Sequence, residues 1–123
     1  MVRRFIMIRP SNSSLKVYVY SEAVDMRKQI DGLAGLVKTE MELDPFAKCL
    51  FVFTNKRRDK LKILAWDKNG FLVWYKRLEK QRFPKLKGDQ IRSLSIKDLN
   101  LYLDGYDIDH FKPHVPIKVS QVA

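Results

Sequence analysis

The chain has 123 residues and a net charge of +10, with 46% hydrophobic and 31% charged residues. That size suits a single domain, 1–123, with one real core, and the supply of Phe, Trp, Ile and Leu excludes a disordered basic tail. One cysteine, Cys49, excludes an internal disulfide and fits a reducing cytoplasm, while apolar runs such as 50–53 and 71–75 fall far short of the roughly 20 residues of a membrane span.

Residues 1–8 open with arginines, but the polar run 9–14 stands where a signal peptide needs a longer apolar stretch, so no targeting segment is expected. Residues 3–8 read as a short strand or an ordered arm, and Arg9-Pro10-Ser11-Asn12-Ser13-Ser14 as a loop, which makes 1–14 an N-terminal arm. Residues 15–20 alternate, with Leu15, Val17 and Val19 on one face and Lys16, Tyr18 and Tyr20 on the other, the period of a half-buried strand.

Met26, Ile30, Leu33, Val37 and Met41 recur at spacings of three and four and predict a helix from about Met26 to Met41. Asp25 is placed to cap its first turn, and Asp44-Pro45 to end it. Gly32 and Gly35 lie off the apolar stripe and cost helix stability, which predicts a packed neighbour or a ligand against that side. Arg27 and Lys28 also lie off the stripe, where cations oppose the helix dipole, and form a candidate secondary binding surface.

Residues 50–97 hold fourteen Lys/Arg against four Asp/Glu, a surplus equal to the whole net charge; the rest of the chain carries ten of each sign. The block reads as a three-stranded meander. Residues 50–53 lead through the polar turn 55–59 to 61–66, where Leu61, Ile63 and Ala65 face one way and Lys60, Lys62, Leu64 and Trp66 the other. Asp67-Lys68-Asn69-Gly70 carries an Asn-Gly hairpin signal and leads to 71–78. Lys80, Arg82, Lys85 and Lys87 continue the charge into an irregular stretch around Pro84. A second, shorter helix is marked by Ser95 with Asp98 three residues on, a capping-box pattern. Its stripe is Ile96, Leu99, Leu103 and Tyr106, and Gly105 is placed to end it. The tail 108–123, with Pro113 and Pro116, is expected to be irregular. The fold class is therefore α+β: an antiparallel β-meander with a basic hairpin, packed against one longer and one short α-helix.

A localised cationic block interleaved with aromatics is the footprint of a nucleic-acid surface. Lys56-Arg57-Arg58 with Lys60 and Lys62 offers forked and point-charge donors to phosphate, and an ordinary solvated turn is the alternative. Trp66, Trp74 and Tyr75 are candidates for stacking on bases. Trp74 reads as core, and Trp66, on the face of Lys60 and Lys62, as the better binding candidate or as a residue packed under the tail or a partner. The nucleic-acid-binding set is Arg57, Arg58, Lys60, Lys62, Trp66, Lys76, Arg77, Lys80 and Arg82. About six phosphate contacts would give a log–log salt slope near −5.

Catalysis finds little footing. None of the acids begins an acid-x-Lys pattern, and there is no Walker-type glycine loop and no Gly-x-Ser-x-Gly elbow, so no catalytic residue is assigned and the protein is not expected to be an enzyme. His110 and His114 are four apart, but Pro113 between them opposes the helix that would bring them together; no metal site and no cofactor is expected.

Val24-Asp25-Met26-Arg27-Lys28, Asp31-Gly32-Leu33-Ala34-Gly35-Leu36-Val37, Asp44-Pro45-Phe46 and the unbroken run from Leu50 to Leu64 carry a family resemblance. So do Trp66-Asp67, Asn69-Gly70-Phe71, Tyr75-Lys76-Arg77-Leu78-Glu79, Arg82-Phe83 and Leu103-Asp104-Gly105-Tyr106-Asp107. Together they resemble the second-open-reading-frame (TnpB-type) accessory protein of the insertion-sequence-sixty-six family of bacterial mobile elements, over about 18–107. The resemblance implies a role in transposition beside a separate transposase and brings no catalytic residues with it. The expected function is a non-catalytic accessory protein that binds DNA through the basic block. The alternative is an adaptor that docks the transposase or another element-encoded protein through the same face. The sequence leaves oligomeric state and the form of nucleic acid open.

Overall fold

A computed structural model of the protein describes residues 12 and 14–111. The expected arm at 3–8, and Pro113, His114 and Pro116 of the tail, lie outside the described residues. The strands are β1 (Lys16–Tyr20), β2 (Cys49–Thr54), β3 (Lys60–Asp67), β4 (Gly70–Arg77) and β5 (Ile91–Leu94). The helices are α1 (Ile30–Thr39), α2 (Ile96–Leu103) and α3 (Ile108–Phe111).

The class is α+β, as the sequence implies, and β2-β3-β4 is the expected antiparallel meander, with Phe51 opposite Leu64 and Lys60 opposite Arg77. The sheet as a whole is mixed, with five strands in the order β4-β3-β2-β1-β5. β1 lies parallel to β2, Val17 against Leu50, because the long connection between them, which contains α1, is a crossover and not a hairpin. β5 pairs antiparallel with the other side of β1, Val17 against Leu94. Its four residues follow the stretch around Pro84 that reads as irregular, and the sequence assigns them no element; so short a segment carries no clear alternation.

Both faces of the sheet are covered. Val17, Val19, Leu50, Val52, Leu61 and Ile63 meet Phe83, α2 and Ile108 on one side. Tyr20, Cys49, Phe51, Phe53 and Leu64 meet Leu33 and Val37 of α1, with Val24 and Met41, on the other. Every residue of β2 is consequently buried, and Tyr20, expected on the open face of a half-buried strand, is buried beneath α1.

Several element boundaries differ from the periodicity. α1 begins at Ile30, not Met26, and its N-cap Gln29 makes no side-chain cap bond. Asp25 instead closes a turn of its own: its Oδ1 accepts from the Arg27 N–H at 2.9 Å, and its carbonyl from the Lys28 N–H. Of the two off-stripe glycines, Gly32 has a packed neighbour among the described residues and Gly35 has none. A Cβ on Gly32 would meet the side chain of Lys28 at 3.2 Å, and one on Gly35 would meet nothing within 4 Å.

In the second hairpin the two-residue loop is Lys68-Asn69, with Lys68 left-handed, and Gly70 already pairs with Asp67. α2 is capped as expected, Ser95 Oγ accepting from the Asp98 N–H at 3.0 Å, and Gly105 follows it at φ +95°. Tyr102 takes the stripe position read for Tyr106, because the helix stops at Leu103 and leaves Tyr106 exposed beyond it. The tail, read as irregular from 108, begins with α3. Ile108 is buried there, and Asp109 accepts two bonds from Arg92 (2.6 and 3.1 Å) and one from the Lys87 N–H (2.7 Å).

Candidate nucleic-acid interface

The turn at 55–59 is built around Asn55. Its Oδ1 accepts from the N–H groups of Asp59 (3.1 Å) and Lys60 (3.0 Å), and its Nδ2 donates to the Asp59 carboxylate at 2.7 Å. The bond from the Asn55 amide contributes most to lowering the Asp59 carboxyl pKa, with the charges of Lys60 and Arg57 adding to it. Arg58 takes a left-handed conformation, φ +58°, which a tight turn of this kind requires of one residue. The tip is not a free finger. The segment after β4 is laced to it, Leu78 N–H donating to the Asp59 carbonyl and Phe83 N–H to that of Arg58.

This scaffold sorts the candidate residues by face. Lys60, Lys62, Tyr75 and Arg77 share the α1 side of the sheet, since Lys62 is registered opposite Tyr75 and Lys60 opposite Arg77. Beside them opens a cleft of about 590 Å³, whose polar and aromatic lining includes Asp25, Arg27, Lys56, Arg57, Lys60 and Tyr75. Ala23, Val24 and Met26 add apolar lining. The loop before α1 thus meets the hairpin turn, and the secondary candidate Arg27 joins Arg57 and Lys60 in one place.

Charge in the cleft is four cations to one carboxylate. Arg27 is itself held: its Nε and Nη2 donate to Asp25, at distances down to 2.6 Å. The bond from that guanidinium, followed by the Arg27 N–H, brings the Asp25 carboxyl down to about 2. Arg57 lies 4.0 Å from Asp59 and keeps its side chain largely in solvent. Arg77 pairs with Glu79 at 3.0 Å with both side chains exposed. Lys28 is exposed at the far end of the same loop.

Other predicted site residues serve the fold. Lys62 Nζ donates to the carbonyls of Met26 and Lys28, each at 2.8 Å, and so ties the loop to the sheet. Arg58 Nε donates to the Phe83 carbonyl at 3.0 Å, away from the cleft. Lys76 points to the opposite side of the sheet and donates to the Leu103 carbonyl at 2.9 Å, at the C-terminal end of α2, where a cation is favoured. Lys80 and Arg82 are exposed on the segment after β4 and are not among the residues that line the cleft. Trp66 stands roughly 13 Å along β3 from Lys62, at about 3.3 Å per residue. It packs edge-on against Phe46 and Phe71, ring centroids 5.1 and 5.0 Å away. Trp74, read as core, is half-buried against the α2-side cluster.

Lys56 and Tyr75, which the sequence offers as a phosphate donor and a stacking candidate but leaves out of the final binding set, both line the cleft. Alternation along β4 already places Tyr75 with Arg77. What the sequence lacked was the register across the second turn, which puts both beside Lys60 and Lys62.

The chemistry on offer is anion binding. The one carboxylate lining the cleft, Asp25, is ion-paired and ionised, so it is no proton donor near neutral pH. Among the described residues no group of three or more His, Cys, Asp or Glu is placed to hold a metal ion. His110 Nδ1 lies 2.6 Å from Asp107 Oδ2, and Cys49 is buried, its thiol pushed up chiefly by desolvation. No helix among the described residues is long and apolar enough to cross a membrane.

Two uncharacterized proteins of Sinorhizobium fredii (strain NBRC 101917 / NGR234) are similar to this chain. y4jC is 34% identical over 119 residues, covering 95% of this chain and all of the relative. y4hO is 32% identical over 103 residues, covering 82% of this chain and 89% of the relative. No solved structure matches. The family model for the IS66 Orf2 like protein matches residues 15–113, which takes in every strand and helix among the described residues and the whole cleft, and the chain belongs to that family of insertion-sequence accessory proteins.

Proposed function

We propose that the protein is a non-catalytic, cytoplasmic accessory factor of its insertion sequence that binds DNA through the cleft between the 23–27 loop and the 55–60 turn. Arg27, Lys56, Arg57 and Lys60 neutralise backbone phosphates there, Arg77 contributes from the adjacent strand, and Lys80 and Arg82 extend the charged surface. The observation that carries this reading is the meeting of Arg27 with Arg57 and Lys60, residues about thirty apart in sequence, in one open, cationic cleft. Long side chains of like charge repel, so gathering them at an exposed site favours a polyanionic partner.

Titrating DNA of mixed sequence against salt tests it. About five phosphate contacts give a log–log slope near −4.5 on duplex. The Arg57→Glu/Lys60→Glu variant is expected to bind at least tenfold more weakly and to lose about two units of slope. Binding that is negligible, or indifferent to salt, contradicts the proposal.

A second reading is an adaptor that docks the transposase or another element-encoded protein. The exposed Phe46 beside Trp66 and Phe71 favours it, as an aromatic anchor of the kind interfaces use. Co-purification that survives nuclease treatment and is lost on Phe46→Ala would support that reading over DNA binding. Arg58→Glu is a poor probe of either, because Arg58 holds the Phe83 segment.

A further inference from the structure

Phosphate neutralisation leaves one side chain of the cleft without a task. Tyr75 is 49% exposed, although it lies on the sheet face that α1 covers. The preceding residues of β4 on that face, Phe71 and Val73, pack against the α1-side core. Tyr75 is the next in the alternation and stands past that cover, as part of the cleft lining. Its ring has a fixed cationic neighbour. Lys62 Nζ sits 5.6 Å from the ring centroid, and that ammonium is itself fixed by the carbonyls of Met26 and Lys28.

A half-exposed aromatic set among cations is the arrangement that stacks a nucleobase while its flanking phosphates are neutralised. Any base offers a π-face, so such a platform needs no sequence. A paired base inside a duplex has both faces covered by its neighbours and does not reach a ring in a cleft without being unstacked. The cleft, at about 590 Å³, is within the size range of sites for small ligands and admits a single nucleotide. We infer that the cleft receives an unpaired nucleotide of a single strand, its base on Tyr75 and its phosphates on Arg57, Lys60 and Arg27. This rests on the nucleic-acid reading of the same cleft and narrows it to a substrate form.

The test is fluorescence anisotropy with the full-length protein at one salt concentration. The probes are labelled oligothymidylate, oligouridylate and a mixed-sequence blunt duplex of equal length. Wild type is expected to bind a single strand several-fold more tightly than the duplex, and the DNA and RNA arms identify which strand it takes. Tyr75→Ala is expected to lose about tenfold on the single strand while duplex binding changes less than twofold, and Tyr75→Phe to retain wild-type binding. Circular dichroism of both variants checks that the fold is kept. Single-strand binding untouched by Tyr75→Ala, or equal losses on both forms, overturns the inference while salt-dependent duplex binding leaves the proposed function standing. A wild type that binds neither form overturns both.

Discussion

Lys62, Lys76 and Arg58 carry charges that the fold itself uses. Each donates to a main-chain carbonyl distant in sequence, Lys62 to Met26 and Lys28, Lys76 to Leu103 and Arg58 to Phe83. Hydrogen bonds from charged donors contribute about 1.5–3 kcal/mol, so Lys62→Met is expected to cost about 1–2 kcal/mol in urea unfolding, with the exposed setting at the lower end. Because that ammonium anchors the loop bearing Arg27, the variant is also expected to weaken DNA binding, but with little change in salt slope, as no phosphate contact is removed. A slope reduced by a full unit in Lys62→Met would instead make Lys62 a phosphate ligand. The sequence made these cations indistinguishable from Arg57 and Lys60, since composition records charge and not the carbonyl that a charge meets. Alternation did separate Lys60 and Lys62 from Leu61 and Ile63. It was silent on partners 25 to 36 positions away.

Helix α1 and the α3–β5 corner show where local pattern and tertiary context part. The apolar spacing from Met26 to Met41 was real in packing, since Met26 and Met41 both touch the α1-side core, yet only residues 30–39 are helical. Asp25 took its capping chemistry into a separate turn that presents Arg27 to the cleft. Gly35 faces open space on the exposed side of α1, and Gly35→Ala is expected to stabilise the protein by about 0.5–1 kcal/mol by thermal or urea unfolding. Destabilisation there would contradict the open space beside Gly35. β5 and α3 escaped the sequence because neither is long enough to carry a period; they are held by Leu94 and Ile108 in the core and by the Arg92–Asp109 pair. The Arg92 guanidinium first, then the Lys87 N–H, bring the Asp109 carboxyl down to about 2, against about 3.9 unfolded. An acid depressed in the folded state binds fewer protons there than in the unfolded chain, so its contribution is complete above about pH 5 and is lost as pH falls through about 2. Asp109→Asn is expected to cost about 1–2 kcal/mol at neutral pH. Urea titrations of both proteins should converge toward pH 2; a gap that stays constant with pH would mean the carboxylate's charge is not what joins α3 to β5.

The distribution of charge along the chain was legible from the start, and the family match over residues 15–113 agrees with the resemblance carried by its motifs. Class and meander were legible too, because β2, β3 and β4 are joined by short turns and pair with their neighbours. The parallel β1–β2 pairing was not, because a crossover strand carries no local mark of its direction. Nor was the cleft, which exists only where the crossover loop returns beside the hairpin turn. That meeting divides the basic block into cations that brace the sheet and cations that line the cleft. The account predicts that duplex DNA affinity, followed between about 50 and 200 mM salt, falls with a log–log slope near −4.5 and that Arg57→Glu/Lys60→Glu removes about two units of it. A slope near zero, or the same slope in wild type and variant, would contradict a phosphate-binding cleft.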